Sequence, residues 1–295
     1  MLGGTGIGWT LGNAWVLRLV VLVVGALAAY RLRARRASMV SVVGVAVLAI
    51  AAAVLLGFAP SEDGSWNDSD FWVSVRNTVV FTFISTPLLI GIGLAMALVL
   101  NNQRRGRGVY RAAFFLPYVL PISAVTLIWS YLLNPDRGLI AGFLGWFGIK
   151  GIAFLSDPNL AMPAIIATTV WWSVGFNLVL FLAGLQDIEP SLYEAAELDG
   201  AGYWQRFRHI TYPGLSHVTL LVAVTQLIAS FQIFGQVFIM TKGGPGTATQ
   251  VVIQHIYETG FKKYQLGYAA ALSVFLFVVM AAVSGIQFRL TSKDV

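Results

Sequence analysis

The chain contains no cysteine. That excludes a disulfide framework, a thiolate metal centre and a cysteine nucleophile, and with no thiol to inspect it leaves the redox compartment open. Charge is scarce too: 11% of the 295 residues are Asp, Glu, Lys or Arg, against roughly 25% in ordinary globular domains. No G-x-x-x-x-G-K-[ST] run occurs, so the chain carries no phosphate loop with which to hydrolyse ATP. His209, His217 and His255 lack a partner at i,i+4 and a carboxylate at ligand spacing, which fits core or surface histidines rather than a metal site. Gly4-Thr5-Gly6-Ile7-Gly8 precedes no strand–helix unit, so it is no dinucleotide fingerprint. The first residues also lack the basic start and cleavage site of a secretory signal.

What is abundant is apolar sequence. Apolar residues make up 57% of the chain, and the mean hydropathy is +0.76. They fall in long blocks, several reaching the roughly 20 residues that span a bilayer. Continuously apolar blocks favour helices over alternating barrel strands. Seven segments are expected, at 12–30, 38–59, 72–100, 112–133, 160–185, 217–240 and 266–288. The fold class is therefore all-α, a polytopic transmembrane helical bundle. Arg31, Arg33, Arg35 and Arg36 crowd the first connection and Arg104, Arg105, Arg107 and Arg111 the third, whereas Glu62, Asp63, Asp68 and Asp70 make the second acidic. The positive-inside rule then puts the N-terminus outside and the C-terminus, near Arg289 and Lys293, in the cytoplasm. The net charge of +6 accordingly records basic inner loops rather than nucleic-acid binding. Arg18 is expected to snorkel from the first helix, and most tryptophans, Trp129 and Trp204 among them, to anchor helix ends at the interface. Leu139 to Ile149 is too short to span and is expected to lie re-entrant or along the outer interface.

The fifth connection, 186–216, carries more information than the others. Ser191 and Glu194 have the spacing of a capping box, Leu192 to Leu198 are good helix formers, and Gly200 stands where a left-handed residue would stop the helix. Tyr203, Phe207 and Ile210 give a second short helix an apolar face, and Pro213 is expected to end it. Residue physics alone leaves two readings of this helix–turn–helix: a structured joint for another protein, or interfacial helices resting on lipid.

Glu194-Ala195-Ala196, Asp199-Gly200-Ala201, Ile210 and Pro213 resemble the E-A-A-x-x-D-G-A…I-x-x-P coupling motif of ATP-binding cassette (ABC) importer permeases. Arg76-Asn77-Thr78, Thr241-Lys242-Gly243-Gly244-Pro245 and Gly267-Tyr268-Ala269-Ala270-Ala271 are similar to the sugar branch of that family, which includes the larger maltose permease subunit and its glycerol-phosphate relatives. The resemblance spans roughly 72–290. It departs at Tyr212, where Leu is common, and at His217, where a second Pro is common. It implies a six-helix permease core within 38–295, plus one extra N-terminal transmembrane helix within 1–37. It also implies a bacterial or archaeal inner membrane, a second homologous permease subunit, two ATPase subunits that bind ATP and Mg, and an extracytoplasmic substrate-binding protein. The permease itself would hold no cofactor, and the coupling residues would be Glu194, Ala195, Ala196, Asp199, Gly200, Ala201, Ile210 and Pro213.

A sugar path needs uncharged donors and acceptors beside aromatic faces. Trp172, Ser173 and Asn177 in the fifth segment, and Gln226, Ser230 and Gln232 in the sixth, supply them. The competing reading is that such groups only bridge helices, at about 0.6 kcal/mol each. Segment interiors hold almost no ionisable group, which disfavours an ion-coupled transporter or a polyamine path. A glycerol phosphoester or an amino acid is the alternative solute. A seven-helix receptor or channel would not need the capped loop. An enzyme would need a reactive cluster near a membrane face, and the sequence shows none.

Overall fold

The computed structural model describes residues 68–101, 106–148 and 151–291, with side chains, Arg107 apart, as far as residue 285. The segments expected at 12–30 and 38–59, and the division at 37/38, lie outside the described residues. Every regular element among the described residues is helical. Asn77–Gln250 forms one compact unit, and the described parts of Met1–Arg76 and Val251–Val295 form another.

Helix α1, Ser69–Asn101, contains the segment expected at 72–100 and runs for 33 residues, about 50 Å at 1.5 Å per residue. That exceeds the roughly 30 Å of a hydrocarbon core, so the helix tilts or extends beyond it. The fourth expected segment is not one helix. It is split into α2, Arg107–Val119, and α3, Ile122–Leu132, bent by 94°. The cause is Pro121, which offers no N–H and forces the residue before it into extended backbone; Leu120 has φ −69° and ψ 140°. The Leu120 carbonyl accepts a hydrogen bond from Trp172 Nε1 at 3.2 Å.

The short patch forms α4, Leu139–Trp146, with Leu139, Phe143 and Trp146 exposed. Helix α5, Ala161–Asp187, is the most buried span and packs along α2. Their crossing is close because a β-carbon on Gly175 would overlap the Phe114 carbonyl. Small residues at such crossings let backbones approach where dispersion drives helix association. The sixth expected segment is also interrupted. Helix α8, Ser216–Phe231, stops at Gln232, and α9, Gly235–Met240, resumes and packs on α3. The core of this unit gathers Ala97 and Leu100 of α1, Leu178, Phe181, Leu182 and Leu185 of α5, Leu215 and Val222. Asn77 donates its side-chain amide to the carbonyls of Thr247 and Gln250, at 2.9 and 3.0 Å, and so holds the loop that follows α9.

In the other unit Asp68 caps the start of α1, accepting the Phe71 N–H at 2.9 Å. Its second oxygen accepts hydrogen bonds from His255 Nε2 of α10, Val252–Tyr257, at 2.9 Å and from the Tyr268 hydroxyl of α11, Leu266–Thr291, at 2.6 Å. Burial opposes ionisation of Asp68, but the bonds from His255, Tyr268 and the Phe71 amide, together with attraction to His255, outweigh it. The carboxyl is lowered to about 2.

The described residues hold four helices long and apolar enough to cross a membrane, or five if the bent pair α2–α3 is one span.

Candidate functional site

The connection after α5 folds as two short helical pieces. Helix α6, Pro190–Leu198, begins two residues earlier than the capping-box spacing requires. Pro190, whose missing N–H costs nothing in a first turn, takes the first helical position. Glu189 is the extended residue before it and makes no side-chain cap. Ser191 therefore lies inside the helix, and the expected Ser191–Glu194 box is absent.

The other end matches the expectation. Gly200 has φ +76°. The Gly200 N–H reaches Glu197 O at 3.1 Å and the Ala201 N–H reaches Ala196 O at 2.8 Å. This pair of bonds is the Schellman stop, so the residues spelling A-x-x-D-G-A supply, in order, its third-last helical position, its cap, its left-handed glycine and its closing amide.

The Gly202 N–H then donates to Gln205 Oε1 at 2.8 Å, opening α7, Tyr203–Arg206. The chain continues through a π-helical turn, Phe207–Thr211, into a short turn at Tyr212–Gly214 and on to α8. Pro213 does not end the helix, as the sequence suggested. The wider turn in front of it lets the Tyr212 N–H bond the Phe207 carbonyl and eases the clash a proline ring makes with the carbonyl four residues back.

Of the motif residues, Glu194, Ala195, Asp199, Gly200 and Pro213 are exposed, and Ala196, Ala201 and Ile210 are half-buried. Leu192, Leu198, Tyr203, Trp204 and Tyr212 add large apolar side chains that are each more than half exposed; Leu198 is 90% exposed. On the inner side Tyr193 Oη bonds Thr211 Oγ1 at 2.9 Å, tying α6 to the π-helical turn. Thr211 Oγ1 in turn donates to the Arg206 carbonyl at 3.5 Å. A cavity of about 330 Å³ lies behind α6, between the ends of α1 and α5 and the π-helical turn.

The six polar or aromatic residues singled out in the fifth and sixth segments are brought together in part. Gln226 Nε2 donates to Asn177 Oδ1 at 2.8 Å, with both side chains buried. Asn177 Nδ2 has no partner among the described residues. Ser230 shares hydroxyl contacts of 3.3 and 3.2 Å with Ser85 and Thr86 of α1. Ser173 Oγ turns back to the Thr169 carbonyl of its own helix at 2.7 Å. Trp172 leans on Tyr118, which stacks on Phe176 with ring centroids 4.9 Å apart. Gln232 is exposed at the end of α8. Sequence reasoning missed Ser85, Thr86 and Tyr118. The signal for the first two was a pair of adjacent hydroxyl residues inside a long apolar run.

A family model for binding-protein-dependent transport system inner membrane components matches residues 88–293. The lactose transport system permease protein LacF of Rhizobium radiobacter is 35% identical over 229 residues, covering 76% of each chain. The sn-glycerol-3-phosphate transport system permease protein UgpA of Agrobacterium fabrum is 34% identical over 230 residues, covering 78% of each. Among solved structures, a bacterial ABC transporter that imports the acidic polysaccharide alginate has a chain of 25% identity and TM-score 0.72, covering 77% of this chain and 80% of that one. The same kind of importer, solved with its alginate pentasaccharide-bound periplasmic protein, superposes at TM-score 0.68 and 25% identity, covering 74% of this chain and 77% of that one. The stopped helix, the exposed apolar loop and the apolar bundle thus stand in a chain that belongs to the binding-protein-dependent transport system inner membrane components, the permease subunits of ABC importers.

Proposed function

We propose that this permease forms half of the path for a sugar or sugar-like solute, paired with a second homologous permease. Two ATPase subunits bind below the pair, one of them seated on the loop 186–216 of this chain, and an external binding protein delivers the solute. The loop faces the cytoplasm, as the arginine-rich connections favour; the N-terminus is outside and the C-terminus inside. Helix α6 is the lever: closing of the ATPases around ATP moves it, and the spans rock between inward- and outward-facing arrangements. The single observation that carries this reading is the Schellman-stopped α6, whose outer residues are exposed while Tyr193 fastens its inner side to Thr211. A lever must be stiff and firmly attached; a linker needs neither property.

The solute path runs beside the buried Asn177–Gln226 pair, with Trp172, Ser173, Ser230 and Gln232 as further candidates. The unused Asn177 amide supports a role beyond bridging, because a buried donor without a partner costs about 1–3 kcal/mol and a passing hydroxyl could satisfy it. A glycerol phosphoester is the second reading, supported by the likeness to a permease named for sn-glycerol 3-phosphate. Reconstitution of the chain with its partners in liposomes tests both. Uptake of a neutral sugar with binding-protein-stimulated ATP hydrolysis is expected; uptake of glycerol 3-phosphate alone replaces the first reading with the second.

A further inference from the structure

The cavity behind α6, bordered in part by Tyr193 and Thr211 that fasten the lever, has no role in the solute path. Its volume of about 330 Å³ is at the lower end of the roughly 300–1,000 Å³ of small-ligand sites. Leu98 and Asn101 reach it from the last turn of α1, and Leu185 from the last turn of α5. It therefore lies where two apolar spans give way to polar chain. Arg206 brings a guanidinium to its wall, and no carboxylate lines it among the described residues. Among the described residues Arg206 pairs with Glu197 at 3.6 Å, itself 76% exposed. A surface pair of that length contributes little and leaves most of the guanidinium's capacity unused. Tyr203 adds a phenol hydroxyl, and Leu98, Leu185 and Phe207 an apolar side.

A planar guanidinium beside hydroxyl donors matches phosphoryl oxygens, which it can bind through two parallel hydrogen bonds. An apolar wall at the edge of the spans suits the glycerol backbone and first methylenes of a lipid. We infer that this cavity binds a phosphoryl group at the membrane edge, supplied by the headgroup of an anionic phospholipid. Basic pockets between spans take such headgroups through the same chemistry.

The test uses the full chain assembled with its partner subunits in mild detergent. Dioleoyl phosphatidylglycerol or dioleoyl phosphatidylcholine is added, and bound lipid is counted by native mass spectrometry. Phosphatidylglycerol is expected to be retained over phosphatidylcholine. Arg206→Gln should weaken it about tenfold, the scale of one charge-assisted bond, and Arg206→Lys should keep most of the binding. Leu98→Trp, which fills the cavity without touching its charge, should give the same loss and serves where Arg206→Gln fails to assemble. Displacement of the lipid by millimolar inorganic phosphate in wild type, but not in Arg206→Gln, would assign the same site to a free phosphate instead. Equal retention of both lipids, or wild-type retention in the assembled variants, overturns the inference.

Discussion

Gln226 donates its side-chain amide to Asn177 Oδ1 across 2.8 Å and joins α8 to α5 between two apolar helices. Asn177 is fully buried and Gln226 nearly so. Gln226→Leu removes the only partner of Asn177 Oδ1 found among the described residues, and an orphaned buried acceptor costs about 1–3 kcal/mol. The variant should unfold at a lower temperature in detergent. The double variant Asn177→Leu, Gln226→Leu should recover most of that stability, because both polar groups leave together. If the pair lies on the solute path, the double variant assembles normally yet takes up solute poorly. Wild-type uptake by the double variant would make the pair a bridge only.

Gly200 stops α6, the proposed lever, for a conformational reason rather than a steric one. Its φ is +76° and a β-carbon there would meet nothing within 4 Å. Valine should therefore cost about 1–2 kcal/mol, the penalty of left-handed backbone, and unseat the stop of α6. We expect Gly200→Val complexes to assemble but lose binding-protein-stimulated ATP hydrolysis in liposomes. Gly200→Asn should retain most of it, since asparagine tolerates that conformation.

Glu194 separates local stability from coupling. It is exposed and closes no capping box. Glu194→Ala should change thermal stability by no more than about 0.5 kcal/mol, as at other surface sites. A fall in stimulated ATP hydrolysis without a fall in stability would then locate its role in contact with a partner subunit.

Gly175 tests the crossing of α2 and α5. Alanine there would drive a methyl group into the Phe114 carbonyl, a backbone atom unable to yield without moving a helix. Gly175→Ala should destabilise by about 3 kcal/mol, at the upper end of overpacking costs. Gly91→Ala, with nothing within 4 Å of the added atom, should be nearly silent in the same thermal measurement.

Asp68 predicts an acid limb. Its carboxyl is lowered from the ordinary 3.8 to about 2, so the folded state favours the ionised form. That contribution is complete above pH 3.8 and disappears as the pH falls towards about 2. Wild type should be more stable than Asp68→Asn by a constant margin at neutral pH. The margin should shrink between those two values when followed by hydrogen exchange at the start of α1. A margin unchanged at pH 2 would break the assignment.

Much of this molecule was legible because apolar run length and glycine chemistry are local properties. The spans at α1, α5 and α11 follow from uninterrupted apolar sequence. The stop of α6 follows from Asp199-Gly200-Ala201, since only a glycine adopts the left-handed position cheaply. The break between α2 and α3 was misjudged because Pro121 lies in a run whose hydropathy alone suggests one helix. Pro190 outcompeted Ser191 for the start of α6, a contest that spacing patterns do not register.

The sequence by itself determined that the chain is a helical membrane bundle with a stopped helix outside it, because both follow from interactions among near neighbours. Only the tertiary structure decided that Asn177 meets Gln226, that Ser230 meets Ser85 and Thr86, and that Tyr193 closes on Thr211. Those partners stand on different helices, and a helix's rotation about its axis is set by close packing such as Gly175 against Phe114, not by its own hydropathy.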